Sequence, residues 1–482
     1  MPRESADPES TAGEHKAAPR ATRLTTALVI AGNLTPAALL FWLVHRFGVD
    51  LPFWDEWELL NTVIQRRQGQ LNFHNLFAPH NEHRIVFPRL ITLANASLFH
   101  WNRKLEMYAA AALLTFSAFI FFRLARRHWK HASAPLLFIP LAWTLLSWRQ
   151  WENVLLGMGT VFALATTGAV CTFYLLHRAR RVDRFLWGAA AAAFIASFSS
   201  GGGLLLWPVG LAQLLLQRAC GGREDRTRAG ALTMWTGAGV FTFILYFLNY
   251  SEVKQPWPTG LSFLIAHPMA LGRFVATMIG SPLTWYQPMA QSLGFLIVLL
   301  GAWVVWKCCR SASELMAAAP LLAMLAFILL TALVAADYRL GIGVPQALSS
   351  RYTSLTALGL AALYVLVTGF ALTRRRPADL IACGALGAFL TAGALTNFVC
   401  WREDGGVQSR LDTIARGMWA VRYADVASDE ALAPVYIYTD HIRNGVRFLK
   451  ANGYSLFHEN APGAPPDRSP SRLTPKDTGS AR

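Results

Sequence analysis

Charge is scarce in this chain. Only 15% of its 482 residues are Asp, Glu, Lys or Arg, while 54% are hydrophobic and the mean hydropathy is +0.33. That balance excludes an ordinary soluble protein of this length. Acidic residues are scarcer still, 28 against 44 Lys and Arg. The cationic excess does not read as a nucleic-acid surface. The basic residues cluster in short loops between apolar runs, where a topology signal lies. Cysteine is sparse too: the six fall in apolar runs or at their ends, with no disulfide framework and no zinc-site spacing. There is no internal repeat, and no inverted pair of interrupted apolar segments of the kind that marks many transporters. No small-residue cleavage pattern follows the first apolar run. Residues 1–24 therefore read as a disordered cytoplasmic tail rather than a signal peptide.

What the chain does have is a series of apolar runs near the length of a membrane span. Eleven are read: 25–47, 105–124, 134–148, 154–176, 185–198, 204–216, 231–248, 293–306, 315–335, 353–372 and 380–399. The expected fold is thus an all-α polytopic membrane protein with about eleven transmembrane helices. The short loops after the even-numbered spans hold 17 cations and the short loops opposite hold five. The positive-inside rule then puts the N-terminus in the cytoplasm and the C-terminus outside.

This topology gathers the polar motifs on one face. The first loop (48–104), the turns RQWEN at Arg149–Asn153 and SSGGG at Ser199–Gly203, the loops 249–291 and 337–351, and the tail from Trp401 all fall outside. In the first loop, 56–68 has a helical stripe of Trp57, Leu60 and Ile64 with Gly69 as a stop. A second amphipathic helix, 88–99, shows a stripe of Ile91, Ala94 and Leu98 suited to the membrane interface. Two amphipathic patches in the tail, 411–419 and 442–449, suit a small helical cap over 401–458. Residues from 459 on read as disordered.

The densest chemistry lies in FWDEW and HNEHR. Asp55 and Glu56 stand just outside a span, where a carboxylate pair can act as general base or ligate a cation. The D-x-x-E spacing of Asp55 and Glu58 fits a helix N-cap equally well. Trp54 and Trp57 suit stacking on sugars or lying among headgroups. His83 and Arg84 could clamp a phosphate, or anchor a loop, with Arg89 snorkelling to headgroups. A divalent cation such as Mg or Mn has Asp55, Glu56, Glu82 and His83 as its candidate ligands; His80 is a further imidazole in reach. Glu152 can line a cavity facing Asp55 or favour a helix N-terminus. The glycine turn at Ser199–Gly203 reads as a plain turn or a phosphate cradle. Arg351, beside Tyr352, enters the outer membrane edge, where a cation needs an anion: a lipid-linked phosphate or Asp337. Lys254 is a further candidate of the same kind.

This pattern resembles the integral-membrane glycosyltransferases of the GT-C fold. The likeness rests on a cytoplasmic N-terminus, a first outer loop opening with the acidic pair Asp55-Glu56, an amphipathic interfacial helix in that loop, about eleven spans, and outer basic residues such as Arg351. It covers roughly residues 25–400. The resemblance implies a bacterial inner-membrane enzyme that takes a sugar from a polyprenyl-phosphate carrier on the outer side. Asp55, with Glu56 beside it, would activate the acceptor; Arg84 and Arg351 would hold the carrier phosphate. The chain lacks the WWDYG stretch of oligosaccharyltransferases and a large soluble C-terminal domain. An envelope glycan or lipid is then the implied acceptor, with membrane lipid as the surrounding partner. Two other readings stay open: a transporter or flippase for a lipid-linked glycan, and a non-enzymatic subunit of envelope assembly.

Overall fold

The computed structural model describes residues 20–221, 229–251, 255–374, 376–399 and 407–458. Among these the chain folds into helices and turns with no β-strand, and one isolated bridge pairs His80 with His83. The first helices are α1 (Arg20–Phe47), α2 (Glu56–Arg67), α3 (Phe73–Phe77), α4 (Val86–Phe99), α5 (Arg103–Trp129), α6 (Ala134–Leu137) and α7 (Ile139–Leu145). There follow α8 (Thr160–Arg178), α9 (Arg184–Ser197), α10 (Leu206–Cys220), α11 (Ala229–Phe247), α12 (Leu261–Ala266), α13 (Pro268–Gly280) and α14 (Gln287–Cys308). The last are α15 (Ala312–Arg339), α16 (Thr353–Arg374), α17 (Pro377–Val399), α18 (Val407–Arg422), α19 (Asp429–Leu432) and α20 (Thr439–Asn452).

Among the described residues, nine helices are long and apolar enough to cross a membrane: α1, α5, α8, α10, α11, α14, α15, α16 and α17, some with a flanking turn. The chain is an all-α, multi-pass membrane protein. Two of the eleven expected spans are shorter. The apolar stretch Ala134–Leu145, broken at Pro135 and Pro140, takes the place of the third, and α9 that of the fifth. At about 1.5 Å per residue, neither covers the ~30 Å of a hydrocarbon core on its own. Residues 1–19 and 459–482 of the expected tails lie outside the described residues, as does Lys254.

α16 is the axis of the bundle. Every residue from Thr353 to Ala371 is buried, as befits a helix that is apolar all round. α5, α7, α8, α15 and α17 pack around it, while α1, α14 and α17 turn apolar faces outward. The outer loop 249–291, read from sequence as a loop, carries α12 and α13. Small residues let α13 and α14 touch backbone to backbone. A Cβ on Gly294 would sit 1.7 Å from the Ala276 carbonyl oxygen, and one on Gly280 would sit 1.9 Å from that of Ala290. Such close approach is how helices bind one another where no hydrophobic difference drives them together.

The first loop builds a second core. α2 ends at Gln68, and Gly69 takes a positive φ of 70°. Its inward face (Trp57, Leu60, Val63) meets Ile414, Val421, Val435, Ile442, Val446 and Leu449 of the tail helices, so α18 to α20 form a cap on α2. α4 turns Arg89, Thr92 and Asn95 inward and leaves Leu90, Leu98 and Phe99 exposed. That polar-in, apolar-out order suits a helix lying at a membrane interface. Arg89 does not snorkel: it is buried and donates to the carbonyls of Leu76 and Ala78.

The α13–α14 contact gives a direct test. Gly294→Ala forces backbones apart and is expected to lower stability by about 1–3 kcal/mol. Gly301→Ala, on the same helix with no atom near its Cβ position, is expected to be neutral. Thermal unfolding of the two purified variants in one detergent checks both.

Candidate functional site

A cavity of about 390 Å³ lies where the first loop meets α8, α11, α15, α16 and the turn into α10. Trp54, Asp55, Glu82, His83, Glu152, Gly201, Gly202, Arg339, Arg351 and Tyr352 line it together. Its lower wall is apolar: Phe162, Leu204, Phe243, Phe247, Phe327, Val334 and Leu355. Phe243 and Phe247 also reach the exposed face of α11. The cavity therefore has a charged rim and a greasy wall that continues to the membrane-facing side.

Asp55 and Glu56 are neighbours with opposite fates. Asp55 occupies the N-cap position of α2, yet its carboxylate makes no capping bond. Its side chain is 47% exposed in the cavity, 3.7 Å from His80 Nε2. Glu56 is only 1% exposed. It accepts from the backbone N–H groups of Phe53 at 3.0 Å and Met158 at 2.8 Å. It also pairs with Arg103 at 3.0 Å. Arg103 is fully buried and pairs again with Glu106 at 2.7 Å, which in turn accepts from Asn95 and Thr92. Glu56 is thus occupied as a structural anchor, and the free carboxylate is that of Asp55.

Arg84, expected as a phosphate clamp, has no such freedom. It is 3% exposed, and its guanidinium donates to the carbonyls of Tyr246 at 2.6 Å, Leu248 at 2.7 Å and Phe77. It ties the HNEHR loop to the end of α11. Trp57, expected as a stacking surface, is fully buried against the cap, where Gly445 leaves room for its ring. Trp54 is the aromatic that faces the cavity, 42% exposed.

Glu82 pairs with Arg339. Burial works against the Glu82 carboxylate's charge, but Arg339 beside it holds its pKa below the ordinary range. His83 is neutral. Enclosure pushes its pKa down to about 4 although Glu82 lies close. Its Nδ1 accepts the Gly201 N–H at 3.2 Å, which places the ring proton on Nε2. The glycine turn thus serves to bring a backbone donor against His83. His80 is the opposite case: burial would lower its pKa, but Asp55 and Glu58 on either side raise it to about 9.

Glu152 lies in a 3₁₀ turn and reaches across to the start of α16. One oxygen accepts from Ser349, Ser350 and the Arg351 N–H at 3.0, 2.7 and 2.8 Å. That fixes the backbone from which Arg351 enters the cavity. The Arg351 guanidinium packs 5.4 Å from the Tyr352 ring and its Nε has no hydrogen-bond partner. Among the described residues, no carboxylate lies within ion-pairing distance of it. Asp337, an alternative partner from sequence, accepts from the Gly260 N–H instead.

The four candidate metal ligands do not converge. Glu56 is spent on Arg103, Glu82 on Arg339 and His83 Nδ1 on Gly201. Among the described residues no group of three His, Cys, Asp or Glu side chains is placed to hold a metal ion. The donor set does not fit a divalent cation.

The arrangement defines a class: a multi-pass membrane protein whose cavity joins a half-exposed carboxylate, Asp55, and a guanidinium with no carboxylate at ion-pairing distance, Arg351, to an apolar wall. A scan against protein-family models and a search of curated proteins both find no match.

Two expectations follow. Glu56→Gln unbalances a buried ion pair and should cost about 3–5 kcal/mol, whereas Asp55→Asn should stay within about 1 kcal/mol of wild type. Chemical unfolding of both variants separates the anchor from the free acid. The second concerns pH. His80 has a folded pKa of about 9 against an ordinary 6.5, so its contribution to stability is complete below pH 6.5 and is lost as pH rises toward 9. His80→Gln should be clearly less stable than wild type at pH 6 and much closer to it above pH 9, as read by unfolding across that range.

Proposed function

We propose that the protein is a GT-C-type glycosyltransferase. It moves a sugar from a polyprenyl-phosphate carrier to a glycan or lipid acceptor on the outer face of a bacterial inner membrane. In this reading the two short apolar helices complete eleven crossings, with the N-terminus in the cytoplasm. One observation carries the reading: a single cavity holds a half-exposed acid, Asp55, and a cation with no carboxylate at ion-pairing distance, Arg351, beside an apolar wall that reaches the lipid-facing surface. A lipid phosphate has that same division, an anionic head on an apolar tail.

The step is a single displacement at the sugar's anomeric carbon. Asp55 takes the proton of the acceptor hydroxyl, and the oxygen attacks. The bond from the anomeric carbon to the carrier phosphate breaks, and the phosphate leaves with both electrons toward Arg351. Trp54 lies beside Asp55 as a face for the acceptor sugar. Glu152 and Tyr352 position Arg351. Phosphate is already a good leaving group, so placement and charge stabilisation supply most of what the reaction needs.

The test uses cells lacking the protein, restored with wild type, Asp55→Asn or Arg351→Gln at matched membrane levels. Mass spectrometry of envelope glycans and glycolipids should show a sugar restored by wild type and missing with either variant. Restoration by Asp55→Asn would leave the transporter reading, which needs the cavity and the cation but no base. An unchanged profile on deletion would leave the assembly-subunit reading.

A further inference from the structure

Asp55 is not held by its own helix, so something else must set where its carboxylate points. His80 is the group in position to do so. Its backbone pairs both ways with His83, at 2.7 and 3.0 Å, in a tight bridge. The residue is buried, 5% exposed. Nδ1 lies 3.0 Å from Glu58 Oε2, and Nε2 faces Asp55 Oδ2 at 3.7 Å with no closer partner. The other Glu58 oxygen accepts the Tyr436 hydroxyl at 2.7 Å. Tyr436 belongs to the cap, between α19 and α20. Nearby, the Trp54 N–H donates to the Val435 carbonyl at 2.8 Å, and His441 Nε2 lies 3.2 Å from the Trp57 carbonyl oxygen. A continuous run, Tyr436–Glu58–His80–Asp55, therefore leads from the C-terminal cap into the cavity.

We infer that His80 is the positioning residue for Asp55, carrying a proton on each ring nitrogen, and that the cap holds it in place through Tyr436 and Glu58. This rests on Asp55 being the base of the proposed reaction. A ring set between two carboxylates favours the double protonation. A neutral imidazole has one N–H and one lone pair, so one of the two carboxylates would face a lone pair. A cation between two anions satisfies both. The other charged groups nearby do not undo this. Arg89 of α4, which shares the neighbouring cavity with Glu58 and His80, gives its guanidinium N–H groups to the Leu76 and Ala78 carbonyls, His441 of the cap lies against the Trp57 carbonyl, and enclosure lowers the pKa of His83, in the same loop. The raised pKa of His80 agrees with that placement. Glu58 also borders a second, polar cavity of about 340 Å³ with Asn61, Gln65 and His74, where water can exchange protons with the ring.

The full-length protein in lipid nanodiscs, with isotope-labelled histidine, gives the direct test, the His80 signal being assigned from its loss in His80→Gln. The ring should titrate near pH 9 in wild type, and at least about one pH unit lower in Glu58→Gln. A wild-type titration near the ordinary value, or no change in Glu58→Gln, overturns the inference. A functional arm uses the complemented cells, whose outer-face residues meet the medium. Glu58→Gln should support sugar transfer at about pH 6, where the ring keeps its proton, and at least about fourfold less at about pH 8.5. Equal loss at both pH values means a merely structural Glu58 and overturns the positioning role. Wild-type cells that transfer no sugar would sink the glycosyltransferase reading, while the titration still decides where His80 keeps its protons.

Discussion

The fold of the first loop depends on one buried cation. Arg103 is fully enclosed at the start of α5, between Glu56 of α2 and Glu106 one turn further along its own helix. Asp50 accepts its backbone N–H at 2.8 Å, and the Trp101 ring lies 4.8 Å from its guanidinium. A Cβ on Gly157 would fall 2.2 Å from it, so the loop before α8 also closes over it. Taking a guanidinium out of water is costly, and here two carboxylates offset it, Glu56 of α2 and Glu106 of α5. Asn95 and Thr92 of α4 hold Glu106 in turn. A single charge thus ties the start of α2 to α5.

The cavity uses charge in the opposite way. Its rim leaves Arg351 with no carboxylate at ion-pairing distance and Asp55 with His80 alone, while Glu56, Glu82, Glu152 and Arg84 are tied by other protein groups. A site in which most charges are tied in place has little reorganisation left when a ligand arrives. Preorganisation of that sort is where electrostatic catalysis draws its strength.

The helical, membrane-spanning nature of the chain was legible because apolar length is a one-dimensional signal. The gathering of polar motifs on one face was legible from loop charge alone. The division of labour within each motif was not. Asp55 and Glu56 are adjacent in sequence but diverge at a helix start, and only packing decides which carboxylate is covered. Arg84 looks like a phosphate ligand until the end of α11, some 160 residues away, supplies carbonyls for it. Trp57 looks like a platform until the tail covers it. Arg103 and Glu106 flank the start of the second expected span, 105–124; two opposite charges in the first turn of a long apolar helix are the available sign of a buried pair. α13 escaped notice because its 13 residues are too few for a span and its contact surface is made of glycine and alanine.

The second core has its two halves at opposite ends of the chain. Trp57, Leu60 and Val63 are made early, and the residues that cover them, Ile414 to Leu449, are made only after α17. Because domains generally fold in the order of synthesis, the first loop must wait with that apolar face open until the intervening helices are inserted and the tail helices have followed. The tail helices then act as a closing stage of biogenesis, and a chain cut short before them would carry the apolar helices of the bundle with an unfinished first loop.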